Sequence, residues 1–203
     1  MMRKSGFAVL AAALALVIVT GCESTRAIKN DIKEDIRNEA TMRTIETTRL
    51  RSAADLKAAY DKRGGESDEV LLLFVNALLL IEENEKEGFA AGAYLSRTAD
   101  QWSDASSPTG VKPSQAASEG FKRIRDNPNT ARSYSGGKPT DYKVTDSGKV
   151  VVQIKETRNS SDTETKYYIW SGGKDNASPI TLRKAGGKWY VDEWSSLQTG
   201  VRK

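Results

Sequence analysis

The chain has 203 residues, of which 31 are Lys or Arg, 27 are Asp or Glu, one is Cys and none is His, and its formal net charge is +4. The missing histidine removes the commonest general base, the commonest zinc ligand and every triad that uses imidazole. One cysteine cannot form a disulfide within the chain. Stability must therefore come from a packed core, and we expect one domain of ordinary size plus an extension.

The first 21 residues have the features of an export signal. Arg3 and Lys4 precede an unbroken apolar run of thirteen residues, 7–19, which is shorter than the roughly 20 residues that span a bilayer. The run ends in Val19-Thr20-Gly21-Cys22, which resembles a bacterial lipobox. The resemblance implies cleavage after Gly21 and lipidation of Cys22 with acyl chains such as palmitate. The alternative is an ordinary cleaved signal peptide.

This lipoprotein signal predicts a location in the cell envelope. Two or three acyl chains hold a protein on a membrane essentially permanently, because each buried methylene contributes about 0.8 kcal/mol. Glu23 follows the cysteine at the position where lipoproteins retained in the inner membrane often carry aspartate. In a bacterium with two membranes we therefore expect the periplasmic side of the outer membrane, and this compartment excludes nucleic acid as a partner.

Residues 26 to about 51 have the pattern of a charged helix with one narrow apolar stripe. The stripe consists of residues four apart, namely Ile28, Ile32, Ile36 and Ala40. We interpret this segment as a spacer, with a homo-oligomeric coiled coil as the competing interpretation, although strict heptads are missing. The predicted organisation is a signal peptide at 1–21, a lipidated tether and spacer helix at 22–51, and a single globular domain at 52–203.

The first part of that domain has helical patterns. Residues 70–81 are apolar at eleven of twelve positions, which predicts a helix buried on all sides, with Asn76 as a buried amide that needs hydrogen-bond partners. Ser52 and Ser67 are predicted N-caps, and Gly64-Gly65 ends the helix that begins after Ser52. A further helix is expected at 89–95, a loop rich in Ser, Gly and Pro at 103–118, and a helix at 114–125.

The remainder has the alternation of antiparallel strands. Five are predicted, at 142–144, 150–154, 166–170, 180–182 and 189–194, and the last two are joined by a tight Gly186-Gly187 turn. Helices followed by a meander of about five strands predict an α+β fold, with helix 70–81 on one face of the sheet. By pattern alone, this is similar to the nuclear-transport-factor-like and cystatin-like folds, in which helices and a curved sheet form a cone.

Several motifs between residues 85 and 202 resemble a bacterial domain of unknown function. Members have an Arg-Ser-Tyr and glycine loop before the strands, matched here by Arg132-Ser133-Tyr134 and Gly136-Gly137-Lys138-Pro139, and a strand like Pro179-Ile180-Thr181-Leu182-Arg183 near their ends. Where members tend to have Asp-Ser-Pro-Arg-Pro, this chain has Asp175-Asn176-Ala177-Ser178-Pro179, so any role of that arginine is absent here. The resemblance implies one domain and an architecture but no reaction.

The two glycine loops carry the candidate contacts for a ligand or partner. Gly136-Gly137 and Gly172-Gly173 allow tightly shaped backbone, and the polar side chains near them could hold a carboxylate or phosphate. These candidates are Arg132, Tyr134, Lys138, Lys174, Asp175 and Arg183. The alternative is that Arg132 and Arg183 pair with Asp175 or Asp141 and only fix the loops. No catalytic or metal-binding residue and no cofactor is predicted.

Charge is distributed unevenly along the mature chain. Residues 22–104 have 12 basic and 17 acidic side chains, net −5, whereas residues 105–203 have 17 and 10, net +7. Either the two halves pack together with complementary charge, or the basic half meets an anionic envelope polymer or lipid headgroup.

Two functions remain open at this stage. The first is a non-enzymatic, membrane-anchored module that binds or organises another envelope protein. The second is a small-ligand or glycan-binding module, for which we expect an apolar pocket lined by Trp170, Trp189 or Trp194. An enzyme is the least favoured, since no catalytic constellation is found.

Overall fold

The computed structural model describes residues 42–144 and 148–202. The signal run, Gly21, Cys22 and the apolar stripe at 28–40 lie outside the described residues, so lipidation and the first part of the spacer stay predictions. Within the described part, none of the helices combines the length and the apolar character that crossing a membrane requires.

Helices come first and most of the sheet comes last. The described chain begins with β1 (Arg43–Thr48), followed by α1 (Ala53–Arg63), α2 (Ser67–Glu83) and α3 (Glu85–Leu95). A two-stranded ribbon of β2 (Gln101–Ser103) and β3 (Val111–Pro113) precedes α4 (Gln115–Asp126) and the short α5 (Asn129–Ser133). Strands β4 (Lys149–Arg158), β5 (Glu164–Ile169), β6 (Ser178–Ala185) and β7 (Lys188–Glu193) follow. The main sheet has the antiparallel order β1-β4-β5-β6-β7, which confirms the α+β fold.

Strand β1 occupies the segment predicted as the end of the spacer helix. Its residues pair with β4 in a register that sets Ile45 opposite Val152. The prediction of helix up to residue 51 is therefore wrong, because the threonines of this segment favour extended backbone and β4 provides a strand edge to pair with. The compact unit that contains β1 begins at residue 42.

The second difference from the sequence prediction concerns residues 142–144, which were predicted as a strand and do not form one. Tyr142 has a positive φ of 48°, which is incompatible with a strand, and its hydroxyl donates to the carbonyl oxygen of Arg202. The sheet still has five strands because β1 supplies the fifth. The other four predicted strands correspond to β4 through β7, and Gly186 and Gly187, with φ of 58° and 81°, form the predicted turn between β6 and β7.

Helix α2 is the centre of the core, as its apolar run predicts. Every residue from Val70 to Ile81 is at most 2% exposed. The helix lies against the inward side chains of the sheet, which are Val150, Val152, Ile154, Tyr167, Ile169, Ile180, Leu182, Trp189 and Val191. Asn76 finds a structural partner, because its Nδ2 donates to the carbonyl oxygen of Leu50 at 3.3 Å.

The helix caps follow the sequence closely. The hydroxyls of Ser52 and Ser114 accept from the backbone N–H three residues on, at 3.1 and 3.3 Å, and Gly64 ends α1. Ser67 is one residue inside α2 instead of capping it, and its hydroxyl is 2.7 Å from the hydroxyl of Tyr167. These caps satisfy N–H groups that have no partner within their own helix.

Two of the three sheet-region tryptophans belong to the core. Trp189 and Trp194 are each 6% exposed, and the Trp194 ring lies 5.2 Å from Phe74 and 4.9 Å from Phe121. Trp194 borders a cleft of about 140 Å³ that also includes charged groups such as Arg97 and Asp192. The Trp194 ring packs against Phe74 and Phe121 inside the domain.

Candidate functional site

The motifs that resemble the family meet in space at one end of the sheet. Residues 133–142, 171–178 and 194–202 form what we call the glycine-loop junction. The N–H of Gly172 donates to the carbonyl of Ser133 at 2.9 Å, and the N–H of Arg202 donates to the carbonyl of Gly173 at 3.0 Å. Three segments distant in sequence are therefore joined by backbone hydrogen bonds.

Two glycines of the junction are required by close approach of the backbone. A Cβ on Gly172 would lie 2.2 Å from the carbonyl oxygen of Gly137, and a Cβ on Gly137 would lie 2.8 Å from the carbonyl oxygen of Arg132. No side chain fits at such distances without moving the main chain. The predicted tight shape of both glycine loops is thus explained by their contact with each other.

The half-buried amine of Lys174 and the buried hydroxyls of Tyr134 and Ser178 form a cluster in this junction. Lys174 Nζ donates to Ser178 Oγ at 2.9 Å and to the carbonyl of Ser196 at 2.6 Å, and the Tyr134 hydroxyl donates to the same Ser178 Oγ at 2.8 Å. Burial lowers the pKa of Lys174, and burial raises the pKa of Tyr134. The charged amine and the phenolate are both disfavoured because little water reaches them.

A lysine with a lowered pKa beside a serine can act as a base for a nucleophile. Here Ser178 is only 4% exposed. The hydrogen bonds of Lys174 and Ser178 join β6 to the carboxyl-terminal segment and to the Tyr134 loop. The arrangement therefore links three segments of the fold.

Three of the other predicted contact residues are held in ion pairs at separate places. Arg132 pairs with Glu82, with Nε at 2.9 Å from the carboxylate, and Asp175 pairs with Arg202. Arg183 lies 3.0 Å from both Glu164 and Asp192. Both predicted arginines are thus paired, but with different carboxylates from the expected Asp175 and Asp141.

Two of the six predicted residues therefore meet around Ser178, and the others do not join them. Tyr134 and Lys174 share that hydroxyl, and Asp175 is next to Lys174 on the surface. Lys138 is exposed in its glycine loop. Arg183 is five residues along β6 from Ser178, about 16 Å away at the usual rise of a strand. Arg132 borders a polar cleft of about 400 Å³ together with Arg49, Glu83 and Lys143.

A second groove lies beside the β2–β3 ribbon, and we call it the ribbon groove. It has a volume of about 480 Å³. Its apolar lining consists of Phe89 and Ala90 of α3 and Pro113 of β3, and its rim has both signs of charge. The lining residues are Asn84, Glu85, Lys86, Phe89, Ala90, Asp104, Ser107, Lys112, Pro113 and Ser118.

Trp102 lies on the same ribbon as part of this groove. It is 51% exposed and is the one large apolar side chain so exposed among the described residues. It pairs directly with Lys112 across the ribbon, so the two side chains project from the same face. Lys112 lines the groove, so the ribbon presents an indole to solvent beside one of the charged residues of the groove.

The ribbon is a braced element rather than the open loop predicted for 103–118. The Asp104 carboxylate accepts from the N–H of Ser106 at 3.0 Å and lies 3.6 Å from Lys112 Nζ. The Thr109 hydroxyl donates to the carbonyl of Ala90 at 3.2 Å, which attaches the tip to α3. The sequence prediction missed Trp102 as a candidate, because strands of three residues leave too short an alternation to detect.

Comparison with known proteins identifies a family but no individual curated protein or solved structure. The family model for the domain of unknown function DUF6935 matches residues 51–203, so the chain belongs to this family. The match begins earlier than the resemblance found at 85–202 and includes the core helix α2. No curated protein and no solved structure matches the chain.

Proposed function

We propose that this DUF6935 protein is a lipid-anchored, non-enzymatic module of the cell envelope that binds another envelope protein through the ribbon groove. The exposure of Trp102 on the ribbon, directly across from the groove residue Lys112, carries the proposal. The lipobox resemblance of residues 19–22 supports the anchor and the compartment.

An indole exposed on a rigid ribbon favours a protein partner. Tryptophan is enriched at the energetic centre of protein interfaces, where it supplies a large contact area at a low cost in conformational entropy. Thr109 and Asp104 hold the ribbon in place, so little ordering free energy is lost on binding. A solvent-exposed tryptophan has no comparable role in stabilising the domain itself.

The groove beside Trp102 indicates what the partner offers. Its apolar floor suits one or two apolar side chains, and the rim, with Glu85 and Asp104 opposing Lys86 and Lys112, suits a segment with both signs of charge. We therefore propose as occupant a surface segment of an envelope protein that inserts an apolar side chain between charged neighbours.

The experiment compares three forms of the lipidated protein in membranes, namely wild type, Trp102→Ala and Lys62→Ala. Lys62 is exposed on α1 and is the matched surface control. Partners are crosslinked, captured and quantified, and the affinity of each form for the purified partner is then measured. We expect Trp102→Ala to weaken binding about tenfold to thirtyfold and Lys62→Ala to change it less than twofold.

Equal capture by wild type and Trp102→Ala would contradict the proposal. Recovery of only a second copy of this chain would also contradict it, because the ribbon would then be a self-association surface. Melting temperatures of the variants serve as the folding control, and Trp102→Ala should leave the melting temperature nearly unchanged since its side chain is half in solvent.

A further inference from the structure

The outer face of the sheet is the surface opposite α2. On β5 the inward Thr165, Tyr167 and Ile169 are buried, whereas the alternating Lys166, Tyr168 and Trp170 are half-buried and point the other way. Pro179 and Thr181 of β6 lie opposite Tyr168 and Lys166 in the register. We define the outer sheet face by these residues together with Lys155 and Arg158 of β4.

Two aromatic rings on this face are surrounded by basic groups. The Arg158 guanidinium carbon lies 4.7 Å from the centroid of the Tyr168 ring, and Lys166 Nζ lies 5.8 Å from the same ring. Lys155 Nζ lies 5.8 Å from the Trp170 ring. Tyr168 and Trp170 are two residues apart on one face, a spacing of about 7 Å along the strand.

The charges on this face do not cancel. Arg158 is neutralised by Glu156 at 2.6 Å, and Arg183 is neutralised by Glu164 and Asp192 at 3.0 Å. Lys155 and Lys166, by contrast, form no ion pair with a carboxylate of the described residues, and each lies over an aromatic ring. Glu156, which lies opposite Tyr168 in the register, attracts Lys155 over a longer distance. The aromatic part of the face therefore keeps two cations available for an anion.

We infer that the outer sheet face binds an anionic polysaccharide. The C–H bonds of a sugar ring carry partial positive charge and lie favourably on the negative face of an aromatic ring. Two rings about 7 Å apart suit neighbouring sugars of one chain, and Lys155 and Lys166 suit carboxylates or phosphates attached to them. This surface is separate from the ribbon groove, so the inference goes beyond the proposed protein partner.

The geometry favours a sugar chain over a bilayer surface. Insertion into a membrane interface requires apolar side chains that protrude into the acyl boundary. Tyr168 and Trp170 are instead half-buried, so they do not protrude from the sheet. Binding to anionic vesicles is accordingly an outcome that the test must distinguish.

The test measures binding of the mature chain from residue 23, which contains every described residue and lacks acyl chains, to polygalacturonate. Neutral pullulan, polyglutamate and phosphatidylglycerol vesicles are the comparison probes. We expect Trp170→Ala and the double variant Lys155→Gln/Lys166→Gln each to weaken polygalacturonate binding at least fivefold, on the order expected for one lost stacking or charged contact. The control Lys57→Gln/Lys62→Gln makes the same charge change on α1 and should stay within twofold.

Each outcome of this test either supports or overturns the inference that the outer sheet face binds an anionic polysaccharide. No binding of polygalacturonate, or equal losses in the test and control lysine pairs, would overturn the inference. Equal affinity for polyglutamate or for vesicles would overturn the polysaccharide assignment, because charge alone would then explain the binding. If Trp170→Ala does not fold, the exposed lysine pair carries the test.

Discussion

The contact between Gly172 and Gly137 is the tightest backbone approach in the glycine-loop junction. We expect Gly172→Ala to lower the free energy of unfolding by about 1–3 kcal/mol, because its Cβ would meet the Gly137 carbonyl at 2.2 Å. Gly65→Ala is the matched control, since its nearest atom would be 3.8 Å away. Urea unfolding of both variants measures the effect, and equal stabilities would show that the loops yield freely.

The second prediction concerns Lys174 and the pH dependence of the free energy of unfolding. Burial lowers its folded-state pKa below the ordinary value of 10.5. Between the folded pKa and 10.5 the unfolded chain binds more protons than the folded chain, so the stability of the wild type rises with pH across this window. Lys174→Met lacks this group, and the stability difference between wild type and variant should therefore widen from pH 7 towards pH 10.5.

One result of this comparison between wild type and Lys174→Met would contradict the account. Groups that lie far from residue 174 contribute equally to the stability of both proteins and cancel in the difference. Urea unfolding at several pH values would contradict the account if the two stability curves ran parallel. Some loss at pH 7 is expected as well, on the order of 1–3 kcal/mol, because Ser178 Oγ and the Ser196 carbonyl lose a donor.

At the residue scale, sequence patterns predicted the polar candidates better than their partners. Tyr134 and Lys174 were identified near glycine loops, and both meet at Ser178. The pairing of Arg132 with Glu82 spans 50 residues, and no local pattern reports a contact of that kind. Ion-pair partners depend on the assembled fold, so they could not be read from spacing.

At the scale of elements, we predict that β1 stabilises the domain. A chain that begins at residue 52 should be less stable than one that begins at residue 42 by about 3–5 kcal/mol, because it loses the ladder with β4 and the packing of Ile45. It also loses the ion pair of Arg43 with Asp68 and that of Arg49 with Glu83. Chemical unfolding of the two chains measures the difference.

A difference below about 1 kcal/mol would mean that β1 is dispensable. The family match begins at residue 51, just after this strand, so the experiment also decides whether the strand belongs to the folding unit. The chain from residue 42 is the control, because it differs only by the strand and its connection to α1.

The elements differ in how far sequence could predict them. Helix α2 is specified by a stretch of twelve residues of which eleven are apolar, a pattern that predicts a helix buried on all sides. Strand β1 has a single aliphatic residue, Ile45, and follows a segment with helical periodicity, so the helical pattern was extended too far. Its strand character comes from pairing with β4, a tertiary effect.

At the scale of the whole molecule, the charge asymmetry is partly internal. Ion pairs join the acidic first half to the basic second half, including Glu82 with Arg132, Glu85 with Arg125 at 3.0 Å and Asp61 with Lys188 at 3.3 Å. This supports complementary packing of the halves. Lys155 and Lys166 are exceptions on the outer sheet face, which is where a partner for the remaining positive charge is proposed.

The anchor makes a prediction for the complete chain. Protein extracted from membranes should have the mass of residues 22–203 plus acyl chains, because the lipobox resemblance implies cleavage after Gly21 and lipidation of Cys22. Cys22→Ser should yield no acylated form. Intact mass spectrometry measures both, with Trp102→Ala as the control that keeps the signal unchanged. An unacylated wild-type protein would contradict the lipoprotein assignment.

The central claim is that an envelope protein binds at the ribbon groove, and site-specific photocrosslinking in intact cells tests it most directly. A photoreactive benzoylphenylalanine replaces Trp102 in one strain and Lys62 in another. The account predicts one crosslinked envelope protein from position 102 and none of it from position 62. The same product from both positions, or no protein product from position 102, would contradict the account.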